Sequence, residues 1–276
     1  MTPRVEATVV VRTKNSAETL EDAFASIEAQ TVEAEIVVVD SGSGDSTLEI
    51  ARRRHAKVIE LPPDRFTFGR ALNVGAQAST TPIVLALSSH TRAADDRWIE
   101  RCLAHHRDDR VAGCSGERYA PGGRPLFDTV TLDAETIRAD PYWGFSNTAS
   151  SWRRDVWERF PFDEQIEACE DKEWSWRVAE AGYVIVIDPR LTPSQLHRTR
   201  AGVRSLFERS RREARALAGR KATPPLSARG ALDQWWNGLP EEPAYSPFLY
   251  RLNPVRAAEI AGRYAGNRDA GRHRER

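Results

Sequence analysis

Short apolar runs rich in β-branched residues alternate with helical patterns over the first ninety residues. The four runs are ATVVV, EIVVVD, AKVIEL and PIVLALS, and segments of helical periodicity separate them. This alternation is typical of βαβ units, in which a crossover helix returns the chain to a parallel strand. It predicts an α/β fold with a doubly wound, mostly parallel sheet and helices on both faces.

The helical segments carry apolar residues at intervals of three and four positions. The predicted inner face of the first helix consists of Leu20, Ala23, Phe24 and Ile27. Asn15 or Ser16 is placed to cap the amino end of this helix. Further helices are predicted over about 46–54 and 69–78, from the acidic pair Asp95 and Asp96 onward, and from Glu170 to Gly182.

The pattern becomes less regular after about residue 111. A Gly- and Pro-rich loop precedes GFSNTASSWRRDVWERF, and the strand YVIVID follows the acidic helix. Beyond Pro193 an Arg-rich helix leads into a Pro-punctuated extension that contains Trp235 and Trp236. We therefore predict three parts: two halves of one domain at 1–118 and 119–197, and a basic helical extension at 198–276.

The composition is that of an ordinary soluble protein. The 276 residues are 40% hydrophobic and 29% charged, which is enough for a sizeable core. The apolar runs are far shorter than the roughly 20 residues that cross a bilayer, and the amino-terminal segment does not resemble an export signal. The three cysteines, Cys102, Cys114 and Cys169, have no metal or redox spacing. They are expected to be buried free thiols of a cytoplasmic protein.

The net charge of zero hides a separation of charge along the chain. From Arg198 onward there are 17 Lys and Arg against 8 Asp and Glu, so the preceding part is acidic by the same margin. An acidic front part argues against nucleic-acid binding, which needs many phosphate contacts from one face. The basic extension is either a solvated helix face or a peripheral contact with an anionic membrane surface. An oligomer is compatible with this composition.

Ligands of open α/β sheets bind outside the carboxyl ends of the strands, and four polar loops are predicted there. These loops are RTKN, DSGSGDST, FGRALNVG and SSHTRAADD. The first loop lacks the glycine fingerprint of dinucleotide-binding proteins, which disfavours a dehydrogenase. Asp40 ends a fully apolar strand, so its carboxylate needs hydrogen-bond donors. Those donors belong either to a bound nucleotide or to a cap that Asp40 shares with Ser43 and Asp45.

Taken in order, VVVRTKN, IVVVDSGSGDST, FGRALNVGAQAS, LSSHTRAADDRWIE and EDKEWSWR resemble family 2 glycosyltransferases of the GT-A fold. The resemblance covers roughly residues 5–215 and is closest to the bacterial cell-surface, rhamnosyltransferase-like type. By this resemblance, the half at 1–118 would bind the nucleotide sugar and the half at 119–197 would bind the acceptor. It implies an inverting transfer of a sugar from a nucleotide diphosphate sugar, with UDP, GDP or dTDP as the carrier, to a hydroxyl acceptor. The residues that it implies on the donor side are Thr13, Asn15, Asp40, Arg70, Asn73, Ser88, Ser89 and Glu117.

The resemblance also implies a divalent cation, Mn²⁺ or Mg²⁺, near the donor diphosphate. The family's acidic metal-binding element falls on Ser88, Ser89 and His90, so the carboxylates are missing here. His90 could ligate the metal with help from Asp95 or His197. A protonated His90 acting with Arg70 or Arg92 could replace the metal, or His90 could merely cap the fourth helix.

The resemblance assigns the acceptor side to the segments GFSNTAS and EDKEWSWR. Asp171 is the implied catalytic base, and Glu170 would position it or contact the acceptor. Four further residues would lie near the acceptor: Ser146, Asn147, Trp174 and Arg177. The alternative is a purely structural role, in which the acidic residues form a first helical turn and only stabilise their own helix.

Two other functions compete with glycosyl transfer. A non-catalytic nucleotide-sugar-binding protein would explain the missing metal-binding carboxylates, although the retained EDKEWSWR segment argues against it. A sugar nucleotidyltransferase would need a glycine-rich, basic loop after the first strand, and RTKN does not supply one.

Overall fold

The computed structural model describes residues 5–121, 124–196, 202–218, 226–237 and 252–274. The chain divides into two compact units. The larger unit consists of residues 1–118, 126–165 and 170–197, and the smaller unit of residues 119–125, 166–169 and 198–276. The predicted boundary between a nucleotide half and an acceptor half, after residue 118, falls where the chain leaves the larger unit for the segment 119–125, and the division into these halves stays a prediction.

The larger unit is built on one eight-stranded sheet and a two-stranded ribbon. Its strands are β1 (Ala7–Thr13), β2 (Ala34–Asp40), β3 (Lys57–Glu60), β4 (Ile83–Ser88), β5 (Thr91–Arg92), β6 (Val111–Ser115), β7 (Val130–Leu132), β8 (Ala149–Arg153), β9 (Val184–Ile187) and β10 (Ser194–Gln195). The strand order in the large sheet is β3-β2-β1-β4-β8-β6-β9-β7, and β5 pairs with β10. The first four strands are mutually parallel, as the alternating pattern predicts.

Seven helices accompany these strands. They are α1 (Ala17–Glu28), α2 (Thr47–Arg53), α3 (Phe68–Ala78), α4 (Trp98–His105), α5 (Ala134–Ala139), α6 (Arg154–Arg159) and α7 (Glu170–Glu180). The predicted inner face of α1 is confirmed, since all four of its residues are buried against the sheet. The mixed α/β architecture with a mostly parallel central sheet is therefore confirmed.

The start of α4 differs from the prediction. The helix begins at Trp98, and Asp95 lies in the preceding turn, where its carboxylate accepts a hydrogen bond from the backbone N–H of Arg97. The acidic pair therefore shapes the entry to the helix and does not form its first turn. His90 lies upstream of Arg97, the residue at the amino-terminal cap position, and the alternative in which the His90 side chain caps this helix stays a prediction.

Strands β6 and β8 lie in segments for which the sequence predicts no strand. β8 pairs antiparallel with both β4 and β6, and it carries four buried positions, Ala149–Trp152. Such a central strand is short and has small polar residues, which its two neighbours hide from solvent. Its position joins the first four strands to the remainder of the sheet.

None of the three cysteines, all of which lie in the described residues, forms a disulfide, and two of them are buried as expected. Cys102 and Cys114 are fully buried, whereas Cys169 is only half-buried and has a backbone φ of 62°. A positive φ is uncommon for a residue other than glycine. Cys169 occupies the position immediately before α7.

The smaller unit contains three described helices, α8 (Val203–Leu217), α9 (Ala228–Trp236) and α10 (Pro254–Arg274). Gly262 and Gly266 let α10 approach α8 closely, because an added Cβ would lie 2.4 Å from the carbonyl oxygen of Phe207 and 2.1 Å from that of Arg211. No described helix combines the length and the apolar character needed to span a bilayer.

Candidate active site

The carboxyl ends of β1, β2 and β4 meet at one edge of the sheet. Thr13 pairs with Asp40, and Arg12 pairs with Ser88, in the strand register. The loops that follow these strands therefore start side by side, where open α/β sheets bind their ligands. Among the donor-side residues that the sequence predicts, this convergence brings together Thr13, Asn15, Asp40, Ser88 and Ser89.

Asp40 is buried under its own loop, with 1% of its surface exposed. Its carboxylate accepts hydrogen bonds from the Thr13 hydroxyl at 2.9 Å and from the backbone N–H groups of Gly42 and Ser43 at 2.9 and 2.8 Å. The Ser43 hydroxyl donates as well. These protein donors satisfy the carboxylate without a nucleotide, so the capping interpretation describes the structure, although Asp45 does not share this cap. These donors give Asp40 a role in holding the loop, and its predicted contact with a nucleotide stays a prediction.

Asn15 fastens the first loop to the second. Its backbone has a φ of 48°, its side-chain oxygen accepts a hydrogen bond from the Gly44 N–H at 2.8 Å, and its own N–H donates to the Ser43 hydroxyl at 2.8 Å. Ser16 adds a third link, because its N–H donates to the Thr47 hydroxyl at 2.7 Å. The exposed edge of Asn15 lies at the predicted nucleotide loops.

The end of β4 presents two hydroxyls and an imidazole. Ser88 and Ser89 are almost completely buried, and the Ser89 hydroxyl lies 2.8 Å from that of Ser16. His90 is exposed in the turn between β4 and β5, and its carbonyl oxygen accepts a hydrogen bond from the N–H of Leu196. Asp95 does not assist His90, because Arg101 holds the Asp95 carboxylate at 2.6 Å.

The acidic pair Glu170 and Asp171 begins α7 and converges on Asn147. The Asn147 backbone N–H donates to Asp171 at 3.3 Å, and its side-chain amide donates to Glu170 at 3.4 Å. The Asn147 carbonyl accepts from Arg12 at 2.7 Å, and its side-chain oxygen accepts from the Ser150 hydroxyl at 2.8 Å. Only 1% of the Asn147 surface is exposed, so this residue connects the two acidic side chains from the protein interior.

The two acidic residues differ in their surroundings. Glu170 is 5% exposed, whereas Asp171 is only half-buried. Burial raises the pKa of Glu170 to about 7, the negative charge of Asp171 acts in the same direction, and Arg12 opposes both. A carboxyl group that titrates near neutral pH beside a more exposed carboxylate is a frequent arrangement in acid–base catalysis.

Arg12 is a functional candidate that sequence reasoning missed. Its guanidinium lies 3.5 Å from the Glu170 carboxylate, and its central carbon lies 5.6 Å from the centre of the Phe68 ring. Burial lowers the pKa of Arg12, and the charges of Glu170 and Asp171 oppose that effect. The sequence signal that could have identified Arg12 is a cationic residue directly after the apolar run of the strand ATVVVRT.

Lys172 holds the loop before β8 from the other side. Its ammonium donates to the carbonyl oxygens of Gly144 and Phe145 at 3.0 and 2.6 Å. The predicted acceptor residue Ser146 follows in the same loop and is partly exposed, and its N–H donates to the Ser115 hydroxyl at 3.2 Å. Two cations, Arg12 and Lys172, thus fasten one loop beside the acidic pair.

Several predicted contacts are structural instead. Trp174 is fully buried, stacks between Phe145 and Phe162, and donates its indole N–H to the Phe160 carbonyl, so it is not an acceptor contact. Arg177 makes an ion pair with Glu173 at 2.6 Å and donates to the Pro161 carbonyl at 2.7 Å. These contacts turn Arg177 toward the body of the protein.

Asn73 and Arg70 differ in how many of their side-chain polar groups are bonded to other residues of the protein. Asn73 donates to the Phe162 carbonyl at 2.8 Å and accepts from the Trp157 indole at 2.8 Å, so the protein itself holds this side chain, and its predicted nucleotide contact stays a prediction. Arg70 donates to Glu164 at 2.7 Å, yet 37% of its side chain is exposed. Arg70 therefore keeps part of its guanidinium at the surface.

Glu117 follows β6 and is partly exposed, and its carboxylate accepts a hydrogen bond from the N–H of Arg118. His197 lies outside the described residues. The described donor-side and acceptor-side loops form one continuous edge from Asn15 to Asp171.

A protein-family model described as "Glycosyl transferase family 2" matches residues 8–161, which is more than half of the chain. The chain belongs to glycosyltransferase family 2. A curated relative of this family 2 chain is the O-antigen chain rhamnosyltransferase WbaN of Salmonella anatum, which is 26% identical over 168 residues. That match covers 55% of this chain and 53% of WbaN, so the chain spans about half the length of this relative.

Solved glycosyltransferases share the fold of this family 2 chain. The mannosyltransferase PcManGT from Pyrobaculum calidifontis, in complex with GDP-Man and Mn²⁺, aligns with a TM-score of 0.61 and 20% identity, over 95% of this chain and 70% of its own. TarS 1-349 of S. aureus aligns with a TM-score of 0.57 and 16% identity, over 98% and 92%. Glucosyl-3-phosphoglycerate synthase of Mycobacterium tuberculosis aligns with a TM-score of 0.57 and 17% identity, over 80% and 81%. These similarities confirm the GT-A fold.

The predicted metal site requires side chains that converge closely enough to hold a cation. Within the described ranges, no three His, Cys, Asp or Glu side chains converge closely enough to hold an ion. The β4 turn of this family 2 chain supplies hydroxyls and the His90 imidazole, and hard cations prefer carboxylate oxygens. The described residues therefore do not fit a metal site built by the protein alone.

Proposed function

We propose that this chain is an inverting glycosyltransferase that moves a hexosyl or deoxyhexosyl group from a nucleotide diphosphate sugar to a hydroxyl acceptor. The observation that carries the proposal is the half-exposed Asp171 beside the buried Glu170, at the carboxyl edge of the sheet in a family 2 chain. The similarity to a rhamnosyltransferase supports a deoxyhexose among the candidate donors.

Asp171 is the proposed base. Its carboxylate takes the proton of the acceptor hydroxyl while that oxygen forms a bond to the anomeric carbon of the donor. The bond from the anomeric carbon to the phosphate oxygen breaks at the same time, and the nucleoside diphosphate leaves with its electron pair. Because attack and departure occur on opposite faces, the configuration at the anomeric carbon inverts. General-base catalysis of this kind contributes about 10² to 10⁴ in rate.

The donor side is proposed to use the loops joined by Thr13 and Asn15. The hydroxyls of Ser88 and Ser89, the exposed part of Arg70, and Glu117 lie on the loops that would surround the sugar diphosphate. Departure of a diphosphate requires positive charge, part of which Arg70 can supply. Asp40 contributes by shaping the loop, through the four donors that it binds.

A divalent cation, Mn²⁺ or Mg²⁺, is proposed to come with the donor. Most of its ligands would be phosphate oxygens, and His90 with His197 are the protein side chains that would add to them. No chemical step above depends on the ion. The presence of Mn²⁺ with GDP-Man in PcManGT supports this part of the proposal.

The acceptor is proposed to lie over the Ser146–Asn147 loop and to be a glycan, a lipid-linked sugar or a small molecule with a free hydroxyl. A peripheral contact of the basic helix with a membrane at the cytoplasmic face is proposed as well. Three arginines of α8 are already paired inside the smaller unit, Arg209 with Glu213, Arg211 with Asp269 and Arg215 with Glu167. Their charges are therefore partly neutralised, and nucleic acid is not expected as a partner.

The experiment that tests the proposal is a donor screen with the purified chain. UDP, GDP and dTDP sugars are incubated with candidate hydroxyl acceptors, release of nucleoside diphosphate is measured, and NMR gives the anomeric configuration of the product. We expect turnover with one donor class and a product of inverted configuration. A retained configuration would contradict the mechanism, and binding of nucleoside diphosphates without any transfer would favour a non-catalytic binding protein.

A further inference from the structure

Arg12 occupies a place where a cation is costly. It lies near the end of β1 between Val11 and Thr13, which are 0% and 4% exposed, and its own side chain is 12% exposed. Its Nε is buried, and within the described part of the chain it has no hydrogen-bond partner. Burying a charge and leaving a donor unsatisfied both cost free energy. A neutral residue would fit this strand at lower cost, so the guanidinium has another use.

The contacts of Arg12 all lead to the acidic pair. One terminal nitrogen donates to the Asn147 carbonyl at 2.7 Å, and the other lies 3.5 Å from the Glu170 carboxylate. The Phe68 ring covers the guanidinium on one side. Because the N–H of Asn147 donates to Asp171, Arg12 also acts on the second carboxylate through the same residue.

We infer that Arg12 is a positioning residue that aligns the Asn147 loop with Asp171 and keeps Glu170 available in its ionised form beside the base. The inference rests on the proposed function, because it assigns Arg12 to the reaction for which Asp171 is the base. It extends that function by identifying Arg12 as the residue that controls the ionisation of the pair Glu170 and Asp171.

The charges that face Glu170 give this effect a direction. Asp171 from the same helix raises the pKa of Glu170, and Arg12 from β1 lowers it. Lys172 points to the carbonyl oxygens of Gly144 and Phe145 instead. When Glu170 is ionised, repulsion between the two carboxylates favours proton uptake by the pair, which helps general-base catalysis. We therefore expect the rate to rise with pH as Glu170 loses its proton.

Three variants separate charge, geometry and general structural damage. Arg12→Met keeps the length of the side chain and removes its charge and donors, whereas Arg12→Lys keeps the charge and loses the forked geometry. Arg177→Met is the matched control, because Arg177 also joins a glutamate of α7 to a backbone carbonyl but does not contact Glu170. Each variant is examined by the pH profile of kcat and KM, and by NMR titration of the Glu170 carboxyl carbon in the substrate-free protein.

We expect Arg12→Met to lower kcat by about 10- to 100-fold at neutral pH, with the donor KM changed by less than about threefold. The Glu170 titration and the pH–rate midpoint should both move upward by about 1 to 2 pH units. Arg12→Lys should restore the midpoint and only part of kcat, and Arg177→Met should leave the Glu170 titration in place.

An unchanged Glu170 titration in Arg12→Met would overturn the inference. So would the same loss of kcat, with the same pH profile, in Arg12→Met and Arg177→Met. The NMR titration needs no turnover, so it separates the two claims. If Glu170 responds to Arg12 but the wild-type chain transfers no sugar, the proposed function fails and the inference fails with it as a statement about catalysis. If transfer occurs and Glu170 does not respond, only the inference fails.

Discussion

The backbone N–H of Asn147 donates a hydrogen bond to the carboxylate of Asp171 across 3.3 Å, although 24 positions separate the two residues. This bond connects the loop before β8 to the first turn of α7. A helix start offers unpaired N–H groups that stabilise carboxylates, and the loop adds one more donor. The acidic pair is therefore held by elements that come from different parts of the chain.

Glu170 makes the stability of the protein depend on pH. Its pKa of about 7 in the folded chain lies above the ordinary glutamate value of 4.5, so between these values the folded state holds more protons than the unfolded state. Unfolding free energy contributed by this group should fall as pH rises from 4.5 to 7, by up to about 1.4 kcal/mol per pH unit. Urea unfolding at several pH values, compared with Glu170→Gln, measures the contribution. A difference between the two proteins that does not vary with pH would contradict it.

The need for the proposed divalent cation is tested by removing the ion with a chelator. We expect a chelator to reduce donor turnover by at least about tenfold, because the phosphate charge then lacks a neutralising partner. Mn²⁺ should restore turnover better than Mg²⁺, since an imidazole suits a softer cation. His90→Ala should raise the Mn²⁺ concentration needed for half-maximal rate.

Turnover that ignores the chelator would remove the cation from the account. Full activity of His90→Ala at every Mn²⁺ concentration would remove His90 from the donor site. Arg52→Ala is a surface control, because Arg52 lies in the last turn of α2 and pairs with the exposed Glu60 at 2.8 Å.

Gly116 allows the backbone after β6 to pass close to another segment. An added Cβ would lie 2.1 Å from the backbone nitrogen of Thr192 and 2.3 Å from the carbonyl carbon of Leu191. Because both neighbours are backbone atoms, Gly116→Ala should destabilise the protein by about 1 to 3 kcal/mol. Gly44→Ala is the control, since nothing lies within 4 Å of its added Cβ. Equal urea midpoints for the two variants would contradict the prediction.

The parallel half of the sheet is predictable from sequence because its strands are continuous and apolar. Four such runs, with an amphipathic helix after the first, define βαβ units without reference to the rest of the chain. β8 could not be found in this way. Its residues Ala149, Ser150 and Ser151 become strand residues only because β4 and β6 flank them.

The site was only partly predictable for a similar reason. The assignment of Asp171 follows from the resemblance of EDKEWSWR to the family's acidic element, but the sequence does not show which face of that helix is buried. Trp174 therefore looked like an acceptor contact, and it packs in the core. Arg12 was missed because its partner Asn147 lies 135 positions further along the chain.

The role of Asp171 is tested most directly by comparing acceptor-dependent sugar transfer in wild type, Asp171→Asn and Asp133→Asn. Asp133 is an exposed helix cap, and asparagine can also cap a helix, so that variant controls for loss of a carboxylate elsewhere. We predict that Asp171→Asn lowers the transfer rate by about 10² to 10⁴ while donor binding and the urea midpoint stay close to wild type. Transfer by Asp171→Asn within about threefold of the Asp133→Asn rate would contradict the assignment of Asp171 as the base.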